Sequence, residues 1–309
     1  MIAIYLDHSV IDGFDKGETA YLDPLLADKG VVPIISMTSV DEIFRGGDEA
    51  RARRNVESLK KLGVRYIHSG PDEMHMSISE LDYENMQEKW AKMQSEVGPL
   101  NDSHFQFIST LFRGNTPEAI KDIDQAMENQ VEWIKNNYDR FPGVRTQMGK
   151  VLRDPREYKE LSRQLLHLKA LLPFRPKEIN NIPEKSVFWT CVNKLKHATD
   201  ANLQLIGNFI ETEIENAGTI DEQFTIVLDW LNFFGYYPDD LTQKHKVRSN
   251  FSDGKHATYA IACDGLFTLD KRFAKRAAAA MGALDLKTEV STDANELLHR
   301  IAALSGHSR

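Results

Sequence analysis

What most constrains this chain is the placement of its short apolar runs. Strand-like runs alternate with helix-like segments in the first seventy residues, and the alternation returns only in the last seventy. Short βα units require a parallel sheet with helices on its faces, so the two ends of the chain are expected to share one sheet. Several of these runs also stop at or near an acid. Residues 1–6 (MIAIYL) end at Asp7, residues 31–37 (VVPIISM) are followed by Glu42, and residues 266–269 (LFTL) end at Asp270. In an open parallel sheet the carboxyl ends of the strands form the ligand crevice, so these acids are expected on one rim.

The N-terminal part reads as strand 2–6, a polar loop 12–19, a short helix 21–27 closed by Gly30, strand 31–37, a long helix 40–62 closed by Gly63, and strand 64–68. From about 71 to 240 the apolar spacing becomes helical, near 78–97, 102–111, 117–136, 158–172, 187–216 and 220–234. Breakers including Pro99, Pro142, Pro173, Pro183 and Gly218 separate these segments. The end of the chain reads as helix 254–263, strand 265–269, an Ala-rich helix 271–281, strand 288–291 and helix 293–303. The predicted architecture is therefore an α/β domain from residues 1–70 and 241–309, interrupted by an all-α insertion at 71–240.

At 41% hydrophobic and 27% charged residues, the chain reads as soluble and globular, with no run long enough to span a bilayer. The first run lacks a basic leader and is followed by Asp7, Asp12 and Asp15, so no signal peptide is expected. Cys191 and Cys263 lie far apart in apolar surroundings, which predicts two buried free thiols and a cytoplasmic protein. The net charge of -8 is unevenly spread. Residues 1–70 carry 9 basic against 11 acidic residues, 71–240 carry 18 against 28, and 241–309 carry 11 against 7. Lys244, Lys246, Arg248 and Lys255 precede or flank Asp253, while Lys271, Arg272, Lys275 and Arg276 follow Asp270. Bases beside a nest of carboxylates suit a phosphate substrate, although charge runs are usually solvated helix faces.

Four acids are candidate ligands for a hard divalent cation: Asp7, Glu42, Asp253 and Asp270. Each also has an ordinary role to weigh. Asp7 can cap the following helix, with Ser9 orienting a ligand or bonding the loop. Glu42 completes a capping box with Ser39, and Asp41 is an alternative ligand beside it. Asp253 is read as a helix-opening acid favoured by the helix dipole. Asp270 and Asp264 bracket one strand; Asp270 shares the rim with Asp7, and Asp264 at the far end is expected to be structural. Thr268 lies two residues before Asp270 on the same strand face. His256, one turn beyond Asp253, is a second-shell candidate, although a single histidine near a polar loop is more often merely satisfied or exposed.

Leu6-Asp7-His8-Ser9, Ser39-Val40-Asp41-Glu42, Asp253-Gly254-Lys255-His256-Ala257-Thr258-Tyr259-Ala260 and Asp264-Gly265-Leu266-Phe267-Thr268-Leu269-Asp270 together resemble a PIN-domain nuclease. The resemblance covers residues 1–70 and 241–309, and it is most specific from Asp253 to Phe273. It implies a three-layer sandwich around a mostly parallel sheet. It also implies that Asp7, Glu42, Asp253 and Asp270 hold Mg²⁺ or Mn²⁺, supported by Ser9 and Thr268. The implied reaction is hydrolysis of RNA phosphodiesters by metal-activated water, with Lys255, Lys271 and Arg272 on substrate phosphates. RNA is favoured over DNA as substrate. The long helical middle departs from the family, and so does His8; the middle is expected to form an RNA-binding wall, a lid or a surface for a protein partner. The rival expectation is a PIN-like scaffold or RNA-binding subunit with weak or no catalysis, docking a partner through residues 71–240. A dehalogenase-type phosphatase wants an Asp where Ser9 stands, and phosphate-binding glycine spacings are absent.

Overall fold

The computed structural model describes residues 2–69, 76–97, 171–238 and 244–306, with a few isolated positions between 125 and 169. The N-terminal alternation folds as β1 (Ile2–Leu6), α1 (His8–Asp15), α2 (Leu22–Lys29), β2 (Val31–Ile35), α3 (Met37–Arg45), α4 (Glu49–Lys61) and β3 (Arg65–Ser69). It continues with β4 (Met76–Glu80) and α5 (Met86–Val97). After the gap come α6 (Pro176–Ile179), α7 (Glu184–Lys196), α8 (Ala201–Asn216) and α9 (Ile220–Phe234). The chain closes with α10 (Lys244–Ala260), β5 (Gly265–Phe267), α11 (Lys271–Ala283), β6 (Glu289–Ser291) and α12 (Ala294–Gly306).

Among the described residues six strands form one sheet in the order β4-β3-β2-β1-β5-β6, parallel throughout except for the antiparallel β3–β4 pair. The two ends of the chain do share it, because β1 pairs with β2 on one side and β5 on the other. Strand order therefore reverses at β1, where a doubly wound sheet opens its ligand crevice. Strand alternation gives each face its own core. Tyr5, Ile34, Ile67, Leu266 and Val290 pack with Phe188, Leu195, Ile210, Leu231, Phe234 and Ala277 of the later helices. Ile4, Leu6, Ile35 and Phe267 pack on the other face with Val10, Ile43, Leu59, Leu297 and Ile301.

Several expected boundaries move. The first half of the loop expected at 12–19 belongs to helix α1, whose inward residues Val10, Ile11 and Phe14 are buried while Asp12 and Asp15 pair with Arg51 and Arg54; residues 16–19 are turn. The long helix expected over 40–62 is two helices, broken at Gly46 and Gly47; Gly47 adopts φ 69°, a conformation that favours glycine. The helix expected over 187–216 is likewise two, α7 and α8, while α9 falls where one was expected. Residues 76–80 form the antiparallel edge strand β4 instead of opening a helix.

The expected insertion at 71–240 is thus not wholly all-α, nor wholly separate. Strand β4 joins the sheet, and α7 to α9 fill one of its two cores. The helix expected over 102–111 and most of those expected over 117–136 and 158–172 lie outside the described residues. Both cysteines are buried free thiols, and burial pushes each up to about 12. Among the described residues, no helix is long and apolar enough to cross a membrane.

Candidate metal centre

The site begins with Asp7, immediately after β1. Its backbone N–H donates to the Phe267 carbonyl at 3.1 Å, tying the end of β1 to β5. Asp7 stands at the N-cap position of α1, but its side chain makes no capping hydrogen bond. Instead Oδ2 accepts from Ser9 Oγ at 2.6 Å and from Thr268 Oγ1 at 2.8 Å. Ser9 Oγ in turn accepts from the Leu269 N–H at 3.0 Å, and Thr268 Oγ1 from the Asp270 N–H at 3.1 Å. Two hydroxyls anchored on the β5 end thus fix a carboxylate that is only 5% exposed.

Glu42 arrives from α3. The cap of that helix is Ser36, which accepts from the Thr38 N–H at 3.2 Å; the expected box between Ser39 and Glu42 is not formed. The helix starts earlier than expected, so Glu42 lies past its first turn. Its Oε2 meets His256 Nε2 at 2.9 Å, and Arg45 stands 3.7 Å from Oε1. Asp41, the alternative, is taken by Trp90 Nε1 at 3.0 Å, Gln94 Nε2 at 2.8 Å and Arg45 at 3.2 Å. Asp264 accepts from the Ala3 N–H at 2.8 Å at the other end of the sheet, the structural role expected of it.

His256, on α10, is fully buried. Its Nε2 faces Glu42 and, at 3.7 Å, Asp7 Oδ1, while Nδ1 meets Tyr5 Oη at 2.8 Å. Tyr5 Oη is also 2.6 Å from Ser36 Oγ. One ligand atom each from Asp7, Glu42 and His256 lie within 4.8 Å of one another, a constellation able to hold a metal ion. Burial pushes the Glu42 carboxyl up, but the hydrogen bond and charge of His256, with His8 and Arg45 behind, outweigh it and hold the group at about 2. Burial likewise disfavours a charged His256, and the Glu42 bond with the Asp7 charge outweighs that and raises its pKa.

The other two predicted ligands have different partners. Asp253 does not open a helix; it lies in the second half of α10, 3.6 Å from the buried Arg276 guanidinium. Asp270 is exposed and caps α11, accepting from the Arg272 and Phe273 N–H groups at 2.8 and 2.9 Å. Of the four expected acids, the structure gathers Asp7 and Glu42 and supplies His256 as the third member. Asp253 and His256 are three residues apart on one helix, so the sequence did place them on one face. Nothing in the sequence said that the histidine would lean toward the carboxylates and the acid away.

Lys271 and Arg272 line a groove of about 450 Å³ with Lys275, Arg300 and Tyr237, beside Ser291 and Thr292 at the carboxyl end of β6. Lys255 is elsewhere, its Nζ 4.8 Å from the centre of the Phe251 ring.

No family model matches the chain, and neither a curated protein nor a solved structure matches it.

Proposed function

We propose that this protein is a metal-dependent nuclease on a PIN-like, three-layer α/β sandwich, cleaving phosphodiester bonds of single-stranded RNA. The observation that carries the reading is the use made of Asp7. An N-cap aspartate that leaves its helix uncapped and is instead clamped by two hydroxyls beside a largely covered glutamate is arranged for a ligand, not for its helix. Two nearly buried carboxylates so close repel each other unless a cation or a proton joins them. The donors fit a divalent ion such as Mg²⁺ or Mn²⁺: carboxylate oxygens from Asp7 and Glu42, on the rim of the reversal strand.

Such an ion, when bound, lowers the pKa of an attacking water and offsets charge on the phosphoryl oxygens. The chain's own residues do the rest. Ser9 and Thr268 hold Asp7 Oδ2 and leave Oδ1 toward the site. Lys271 and Arg272 line a groove on the same rim and would meet the phosphates flanking the scissile bond, while Lys275 and Arg300 there are paired with Glu184 and Glu296. Asp253 and Asp270 have other partners, Asp253 beside Arg276 and Asp270 on the first amides of α11. Two buried free thiols fit a reducing compartment such as the cytoplasm.

That diversion of two acids favours a second reading, a PIN-like scaffold or RNA-binding subunit without catalysis. Its partner surface would be the face of α8 where Leu205 and Phe209 are 66% and 56% exposed. Incubation of the purified chain with labelled single-stranded RNA and DNA separates the two. The nuclease reading expects Mn²⁺-dependent cleavage of RNA, abolished by chelator and by Asp7→Asn. If no nucleic acid is cut with any divalent ion, and the variant behaves as wild type, the scaffold reading stands.

A further inference from the structure

We infer that His256 is itself a ligand of the cation at this site, so that the donor set is Asp–Glu–His and selects Mn²⁺ over Mg²⁺. The inference rests on the metal-site part of the reading above, and it changes what the site is: a mixed nitrogen and oxygen pocket, not a nest of carboxylates alone.

Geometry is the first support. Ligand atoms about 2.1 Å from one ion and at right angles stand about 3 Å apart. His256 Nε2 lies 2.9 Å from Glu42 Oε2 and 3.7 Å from Asp7 Oδ1, close to that separation. The second support is how the ring is held. Metal-bound imidazoles characteristically commit their other nitrogen to a fixed partner, which sets tautomer and orientation. Here Nδ1 is bonded to Tyr5 Oη, and Tyr5 is held by Ser36, all from buried positions on the sheet and its rim. The remaining nitrogen points at two carboxylates from two other elements.

A histidine serving only as an ionic plug for Glu42 explains less of this. Such a plug needs one carboxylate. Asp7 Oδ1 faces the same nitrogen from 3.7 Å, beyond hydrogen-bond distance, while both hydroxyl donors crowd onto Oδ2. An ion between the three groups gives Oδ1 a role that a proton on His256 does not.

The choice of metal follows from donor chemistry. Mg²⁺ prefers oxygen and keeps its waters, whereas imidazole suits first-row transition ions. Mn²⁺ accepts both donor types, so one nitrogen among the ligands tilts the site toward it.

The test uses the full chain, stripped of metal and without RNA. Calorimetric titration should give a dissociation constant for Mn²⁺ at least about tenfold below that for Mg²⁺. His256→Gln keeps an oxygen donor in the place of the ring nitrogen, so it should weaken Mn²⁺ about tenfold or more and Mg²⁺ far less. Paramagnetic resonance of bound Mn²⁺ should show coupling to a nitrogen nucleus in the wild type and none in His256→Gln. Should the variant fail to fold, the wild-type spectrum decides alone, and Tyr5→Phe should keep the coupling while weakening Mn²⁺ about 10- to 100-fold. Bound Mn²⁺ without nitrogen coupling, an unchanged Mn²⁺/Mg²⁺ ratio in His256→Gln, or no binding of either ion overturns the inference. Nitrogen coupling in a protein that cuts no RNA would overturn the nuclease reading and leave this one standing.

Discussion

Asp7 and Asp270 occupy equivalent places in two neighbouring βα units, each at the N-cap position of the helix after a parallel strand. Asp270 is exposed and spends its carboxylate on the first amides of α11. Asp7 is buried and its carboxylate caps no amide of α1; Ser9, Thr268 and the Glu42–His256 pair surround it instead. The same residue type at the same position caps its helix in one unit and is held by side-chain hydroxyls in the other. What separates them is the sheet. Strand β1 lies where the strand order reverses, so its rim opens between two sets of crossovers and receives α3 and α10 together.

The widest separation is expected in activity. Asp7→Asn should lower metal-dependent cleavage at least about 1,000-fold, equivalent to about 4 kcal/mol of barrier, while Asp270→Asn loses less than about tenfold. Equal losses in initial-rate assays would erase the contrast. Next comes pH. Glu42 is held at about 2 against an ordinary 4.5, so its contribution is complete above 4.5 and is lost as pH falls toward 2. His256 is raised above its ordinary 6.5, so its contribution is complete below 6.5 and is lost as pH rises through the raised value. Metal-free protein should therefore be most stable between 4.5 and 6.5. Glu42→Ala should cost roughly 3 kcal/mol there, because it strands a buried imidazolium. Denaturant melts carried below 4.5 and above 6.5 read this directly, and a wild-type profile that stays flat on both sides of that window would contradict it.

Smaller effects should follow from the supports. Ser9→Ala and Thr268→Val each remove a donor from Asp7 Oδ2, and each should weaken metal binding about 10- to 100-fold. Asp270→Ala should cost about 1 kcal/mol of stability through the lost cap and leave metal affinity unchanged. A change in affinity in calorimetric titrations of Asp270→Ala would return that residue to the site.

The rim acids were legible because an apolar run ending in an acid marks a strand end with little ambiguity, as with Leu6 and Asp7. Glu42 was found although its capping role was misassigned. Ser36 and Ser39 both offer a hydroxyl near the start of α3, and only the backbone decides which one caps. Strand β4 was hidden because its residues are largely exposed, leaving no alternation of buried and solvated positions to read. Helices α7 to α9 read correctly as helices, but periodicity cannot say which surface an apolar face will meet. His256 was weighed as an accessory at most, since a lone histidine on a helix carries no signal until Tyr5, 251 positions away in the sequence, is folded against it. Asp253 shows the converse: its neighbour in space, Arg276, is set by how α10 and α11 meet, which no local spacing encodes.

Anomalous diffraction from crystals grown with Mn²⁺ tests the central claim most directly. The account predicts one strong peak within bonding distance of Asp7, Glu42 and His256, with Asp270 still capping α11. A peak between Asp253 and Asp270, or none beside Asp7, would contradict it.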